Sequence, residues 1–252
     1  MSGTSGSFGR MRRRLSKAIK SMSHPVTRAA LREKVAPTFE HEHLLRGLGP
    51  INTVIDVGAN NGQFALLCRL VHPNARVISF EPMAAAAARF EKIFAQDDHV
   101  TLHRTALGTE EGETVIHLSA RDDSSSLMPQ AEQSDYFPQT GEVGTETIKI
   151  APLASCVRPS DLSGPVLMKI DVQGFEGEVL KGSADLLVHV DWIYCEASFK
   201  ELYQGQPLAG EIIAYLAGHG FEIASVTVDE SMVFDGRAIQ ADFLFYKPKA
   251  AG

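Results

Sequence analysis

The chain should fold as an open α/β domain built around a mostly parallel sheet. The clearest sign is Ile51 to Gly62, INTVIDVGANNG. Val54, Ile55 and Val57, interrupted by Asp56, form the near-continuous apolar run of a strand buried on both faces. Gly58 and Gly62 then turn the chain into a helix whose apolar face is Phe64, Leu67, Cys68 and Val71. Such a strand, turn and helix brings backbone N–H groups and a helix N-terminus to the carboxyl edge of a sheet, where open α/β folds hold ligands. Later apolar runs end in Glu81, Asp171 and Glu196, which gathers carboxylates on the same rim.

The elements follow in order. Pro37 to Gly49 reads as a lead-in helix with Phe39, Leu44, Leu45 and Leu48 on its apolar face. His41-Glu42-His43 within it does not read as a metal site, because residues two apart point to different sides of a helix and no H-E-x-x-H spacing is present. Ala75 to Glu81 is the second strand, and Pro82 opens an alanine-rich helix, Met83 to Phe94. His99 to Leu107 reads as the third strand, with Glu113 to Leu118 pairing back across the turn 108–112. Ser119 to Thr145 is irregular and polar, Asp122 and Asp123 included. A loop this long in a compact domain is commonly functional, and Ser124 to Leu127 is the expected lid. Glu146 to Val157 alternates as a strand, and Val166 to Asp171 is a fully buried one. Gly174 to Gly182 starts a helix with Glu176 and Glu178 near its positive end, and Trp192 to Glu196 is another central strand. Leu208 to His219 is a helix stopped by Gly220, and the strands Phe221 to Val228 and Gln240 to Tyr246 complete the sheet.

At 252 residues, 44% hydrophobic and 22% charged, the chain suits one such domain, and no apolar run is long enough to span a bilayer. Cys68, Cys156 and Cys195 are widely spaced, in apolar segments and without a C-x-x-C pair, as expected of reduced core residues in a cytoplasmic protein. Charge divides the chain in two. Residues 1–34 carry nine Lys or Arg against the single acid Glu33, whereas the rest holds 15 basic and 30 acidic residues. A basic arm over 1–34 and a main domain over 35–252 is the expected organisation. Met11, Leu15, Ala18, Ile19 and Met22 recur at helical spacing in the arm, which makes a basic amphipathic helix. Such a helix serves as a solvated or oligomer-contacting element, or as a peripheral contact with an anionic membrane at its inner face. The acidic body argues against nucleic acid as a partner.

Spacing narrows the ligand. Gly58-Ala59-Asn60-Asn61-Gly62 lacks a glycine of the dinucleotide fingerprint, and no Lys with a following Ser or Thr completes a P-loop. Asp56 would repel phosphate and welcome a cationic amine or sulfonium. Glu81, 19 residues after Gly62, stands where nucleoside sites place an acid for the ribose hydroxyls.

DVGANNGQFA, VISFEP, TALG at 105–108, SSSL at 124–127 and KIDVQGFEGEVLKG at 169–182, in that order, resemble the S-adenosylmethionine-dependent methyltransferases of the FkbM type. The resemblance covers about Ile51 to Phe199, with one departure: the family's Asp-x-Glu-Gly is here Asp171-Val172-Gln173-Gly174. It implies a Rossmann-like, seven-stranded, mostly parallel sheet of class I methyltransferase architecture, here with an N-terminal helical extension. It implies S-adenosylmethionine as cofactor, contacted by Asp56, Gly58, Asn60, Gly62, Glu81, Ser125 and Asp171, with Thr105, Ala106 and Leu107 as walls for the adenine. It implies O-methylation of a hydroxyl on a sugar, glycolipid or other small natural product. Asp171 is the expected contact with the reacting centre, and Glu176 and Glu196 the groups that orient the acceptor. A divalent metal could acidify the hydroxyl, but no ligand spacing indicates one. Two other readings are weighed against this one: a non-catalytic nucleoside-binding module, and a Rossmann-type nicotinamide or nucleotide-sugar enzyme.

Overall fold

The computed structural model describes residues 25–121 and 124–248. The expected arm helix around Met11 to Met22, and the loop acids Asp122 and Asp123, lie outside them. The fold is a seven-stranded sheet flanked by helices on both faces. Five neighbouring strands run parallel: β3 (Val100–His103), β2 (Arg76–Phe80), β1 (Thr53–Val57), β7 (Val166–Ile170) and β8 (Trp192–Ser198). The last strand, β12 (Gln240–Tyr246), is antiparallel to both its neighbours, β8 and the outer strand β9 (Glu222–Thr227). A three-stranded sheet of β4 (Ala106–Leu107), β6 (Glu142–Ala151) and β5 (Gly112–Ser119) leans on the carboxyl edge, and a small hairpin joins β10 (Val233–Phe234) to β11 (Arg237–Ala238).

Strand alternation sorts the core into two layers. Ile55, Ile78, Met168, Ile193 and Phe243 pack on one face against helices Glu176–Gly182 and Ala209–Gly218. Val54, Val77, Leu167 and Leu244 pack on the other against helix Gln63–Val71 and the aromatic pair Phe90 and Phe94 of helix Ala84–Phe94. Helix Pro25–Arg32 joins this second layer through Val26 and Ala30, so residues 25–34 pack with the body.

Several elements differ from the expectation. The third strand stops at His103, and Ala106–Leu107 departs to pair in parallel with Ile150 and Ala151. The strand expected at 146–157 begins earlier, at Glu142, and ends at Ala151, where Pro152 precedes a short helical turn, Leu153–Cys156. The lead-in helix divides into a 3-10 turn, Phe39–His41, and a helix, Glu42–Gly47. Phe39 is exposed and Leu45 is the buried anchor. No helix among the described residues is long and apolar enough to cross a membrane.

Candidate functional site

Alternation also lays a polar seam across the second face of the sheet. Counting by twos from the buried Val54, Leu167 and Leu244 leads to Asp56, Lys169 and Asp242, with Tyr194 and Glu196 on the same face of β8. Register aligns them: Asp56 lies beside Lys169, Lys169 beside Tyr194, and Glu196 beside Asp242. Lys169 Nζ is 3.6 Å from Asp56 Oδ1 and 3.5 Å from Asp171 Oδ2, and donates to the Gly58 carbonyl at 2.9 Å. Burial pulls the Lys169 ammonium down, but the Asp171 and Asp56 charges outweigh it and hold the group above its ordinary value.

Over the seam, at the carboxyl edge, is a cavity of about 510 Å³. Its floor is the turn after β1. Gly58 has φ +75°, and a Cβ there would lie 1.9 Å from the Asp171 carbonyl oxygen, so only glycine lets the ends of β1 and β7 approach this closely. The Gly58 and Ala59 amides both donate to the Phe80 carbonyl. Glu81 follows β2 and accepts from the Asn60 amide (2.9 Å) and the Met83 amide (2.7 Å). Burial pushes its carboxyl up to about 7. The native state therefore holds a proton that the unfolded chain has released. Glu81 weakens the fold progressively as pH rises from about 4.5 to about 7, by about 3 kcal/mol in all.

The opposite wall is built around Gln173, which has φ +54°. Its amide nitrogen donates to Asp171 Oδ1 (2.9 Å) and Glu196 Oε2 (3.0 Å), and Tyr203 Oη lies 3.1 Å from its Oε1. A carboxamide thus separates two carboxylates. Burial first, then the Asp171 and Asp242 charges, push Glu196 well above the carboxylate range. The expected lid is tied down on both sides. Ser126 Oγ donates to the Gln173 carbonyl (2.6 Å), Ser125 Oγ accepts from the Ser119 amide (3.1 Å), and Ser125 and Leu127 line the cavity.

Gly58, Asn60, Glu81, Ala106, Leu107, Ser125 and Asp171 all line this one cavity. The other expected residues do not. Asp56 is fully buried, facing Lys169. Gly62, at φ +92°, starts helix Gln63–Val71, and a Cβ there would strike the rings of Phe94 and Phe90. Thr105 is buried and donates to the Ala106 carbonyl. Glu176, expected to orient the acceptor, instead accepts from the Val172 and Gly174 amides at 3.1 and 3.2 Å, which closes the Gln173 turn. Glu196 lies behind Gln173 and reaches the cavity only through that amide. Sequence reasoning passed over Lys169 and Tyr194, and weighed His41 only as a metal ligand. The available signal was a lysine inside the apolar run VLMKI, where a charge needs a buried partner.

The cavity suits a nucleoside carrying a cationic amino-acid tail. Glu81 supplies an acceptor at one end, and Ala106, Leu107 and Phe80 supply apolar walls. The side-chain-free Gly58 floor lets a ligand approach the backbone, and Asp171 supplies negative charge beside it. Among the described residues no group of three or more His, Cys, Asp or Glu side chains is arranged to hold a metal ion.

Comparison with known proteins agrees with this chemistry. A family model described as the methyltransferase FkbM domain matches residues 56–223. The chain is 29% identical over 167 residues to the 2-O-methyltransferase NoeI of Sinorhizobium fredii (strain NBRC 101917 / NGR234), covering 62% of this chain and 68% of that one. It is 26% identical over 217 residues to the 31-O-demethyl-FK506 methyltransferase FkbM of Streptomyces tacrolimicus, covering 76% and 80%. It is 28% identical over 141 residues to the hexuronic acid methyltransferase AglP of Haloferax volcanii, covering 56% and 54%.

Proposed function

The chain belongs to the FkbM methyltransferase family and is an S-adenosylmethionine-dependent methyltransferase; from that premise we propose that it methylates a hydroxyl of a sugar, in a glycan, glycolipid or glycosylated small molecule. The observation that carries the acceptor class is the polar lining of the cavity outside its apolar walls: Thr38, Glu40 and His41 on one side, Ser125 and Gln173 on the other. These offer donors and acceptors to a hydroxylated ring. The relative named as a 2-O-methyltransferase supports a hydroxyl acceptor, and the one named as a hexuronic acid methyltransferase supports the sugar.

Bound in the cavity, S-adenosylmethionine supplies a methyl carbon already activated by its sulfonium. The residues of this chain then have to orient, fix charge and exclude water. Glu81 accepts the ribose hydroxyls. Asp171, steadied by Lys169 and Gln173, holds a negative charge near the reacting centre. The segment 124–127 covers the site from the side of β5.

Methyl transfer from labelled S-adenosylmethionine to neutral hexose glycosides, hexuronic acid glycosides and macrolide alcohols tests the acceptor class. Transfer to either glycoside and not to the macrolides is expected, and transfer to macrolides alone overturns it. Asp171→Asn should lower turnover by about 100-fold while changing S-adenosylhomocysteine affinity by less than about threefold. Unchanged turnover removes Asp171 from the reacting centre.

Glu81 gives a pH signature. Because its carboxyl titrates at about 7 and accepts the ribose in its ionised form, S-adenosylhomocysteine affinity should weaken as pH falls below about 7, approaching tenfold per unit. Calorimetry between pH 5.5 and 8.5, values chosen to bracket that titration by about 1.5 units, should show this slope in the wild type and lose it in Glu81→Gln. NAD serves as the ligand control. An equal slope in both proteins assigns the titration elsewhere.

A further inference from the structure

His41, set aside as a metal ligand, ends the 3-10 turn Phe39–His41 and lines the reaction cavity. Its Nδ1 lies 3.0 Å from the Tyr194 hydroxyl, and its ring meets the Tyr194 ring edge-on at 5.2 Å. Tyr194 is 5% exposed, and the Asp242 carboxylate of the neighbouring strand β12 acts on its hydroxyl as a second acceptor beside it. A phenol has one proton to give. When Tyr194 gives it to Asp242, the bond to His41 is satisfied only with Nδ1 as the donor. In the neutral ring, Nε2 then carries a lone pair and no proton. No other hydrogen bond to the His41 ring is found among the described residues, so Nε2 remains available. His41 also stands at the right end of the cavity. Its ring centroid is 6.1 Å from that of Phe64, and Lys169 Nζ is 5.9 Å from the same Phe64 ring, so His41 and the Lys169–Asp171 pair flank one side chain.

We propose that His41 is the general base of the methyl transfer, with Tyr194 and Asp242 as positioning residues that hold its Nδ1 proton and present Nε2 to the acceptor hydroxyl. The inference rests on the hydroxyl acceptor proposed above. As the acceptor oxygen forms its bond to the methyl carbon, the O–H bond breaks and its proton passes to Nε2. The sulfur keeps the electron pair of the C–S bond, and the imidazolium later returns the proton to water. An aliphatic hydroxyl needs such a group, and the carboxylates offer none so well placed. Asp171 has both oxygens engaged, Glu81 accepts from two backbone amides, Glu40 is exposed to solvent, and Glu176 and Glu196 do not line the cavity. The charged or titratable groups around His41 are Tyr194 from β8 and Asp242 from β12, with Glu40 from its own turn and Lys169 and Asp171 from β7 and its end lining the same cavity.

The test uses the full chain labelled with ¹⁵N-histidine and saturated with S-adenosylhomocysteine, with the His41 signal assigned from its loss in His41→Asn. An Nδ1–H tautomer is expected, shifting toward Nε2–H in Tyr194→Phe. An Nε2–H tautomer in the wild type overturns the proposal, whether or not any acceptor has been found. With the hexose and hexuronic acid glycosides as acceptors, His41→Asn should lower kcat about 100-fold or more, with S-adenosylhomocysteine affinity within about threefold. Unchanged kcat with weakened affinity makes His41 a cofactor clamp and overturns the proposal. An Nδ1–H tautomer without transfer to either glycoside supports the base and refutes the acceptor class, so the two failures are separable.

Discussion

Lys169→Met should cost about 3–5 kcal/mol of stability and lower the melting temperature by about 10 °C, the largest effect expected of any single side chain here. The reason is the partner left behind. Asp56 has no exposed surface, and Lys169 is the only cation that faces it among the described residues. Methionine fills the volume but leaves a carboxylate in the core with nothing to answer its charge. The loss should shrink at low pH, because protonating Asp56 removes the stranded charge and stabilises the variant relative to neutral pH. Adding Asp56→Asn should restore about half of the stability, since the neutral amide no longer needs a cation. Urea unfolding of the two single variants and the double, at about pH 5 and pH 8, measures all of this. A loss of less than about 1 kcal/mol in Lys169→Met would mean that water or another group reaches Asp56.

Gly58→Ala should abolish cofactor binding, with S-adenosylhomocysteine affinity falling by about 100-fold or more. The new methyl group meets backbone, the Asp171 carbonyl oxygen at 1.9 Å, which cannot swing away as a side-chain tip could. The backbone at 58 also has φ +75°, which alanine adopts only with strain. The ends of β1 and β7 must separate, and they carry the Asp171 amide bond to the Val57 carbonyl and the Lys169 bond to Gly58. Gly112→Ala is the control. It sits at the start of β5 with no atom within 4 Å of its would-be Cβ, and should leave affinity unchanged and stability within about 0.5 kcal/mol. Similar affinities in the two variants would take the close approach out of the binding argument.

Much of this was legible in the residues because strand periodicity and strand-end chemistry are local. The apolar run before Gly58, the acid Glu81 and the buried strand ending in Asp171 all fall where the pattern put them. What escaped was set by register and by the fold's return path. Glu176 has the same chemistry as Asp171, and only the left-handed turn at Gln173 shows that it bends back to accept two amides instead of facing the cavity. Asp242 is 71 residues from Asp171 in sequence, and pairing of β12 with β8 brings it beside Glu196. Thr105 followed the pattern of a third strand until the chain left the main sheet.

The position of β12 sets an order on the protein's biosynthesis. It is the last strand among the described residues, yet it lies inside the sheet, between β8 and β9, and not at an edge. The strands that carry the cavity floor, β1, β2 and β7, all leave the ribosome well before Gln240. Until then β8 keeps an open edge, with unpaired backbone ready to template aggregation, and Tyr194 lacks the carboxylate that fixes its proton. A chain interrupted before residue 240 would therefore lack both the strand that closes this edge of β8 and the Asp242 carboxylate.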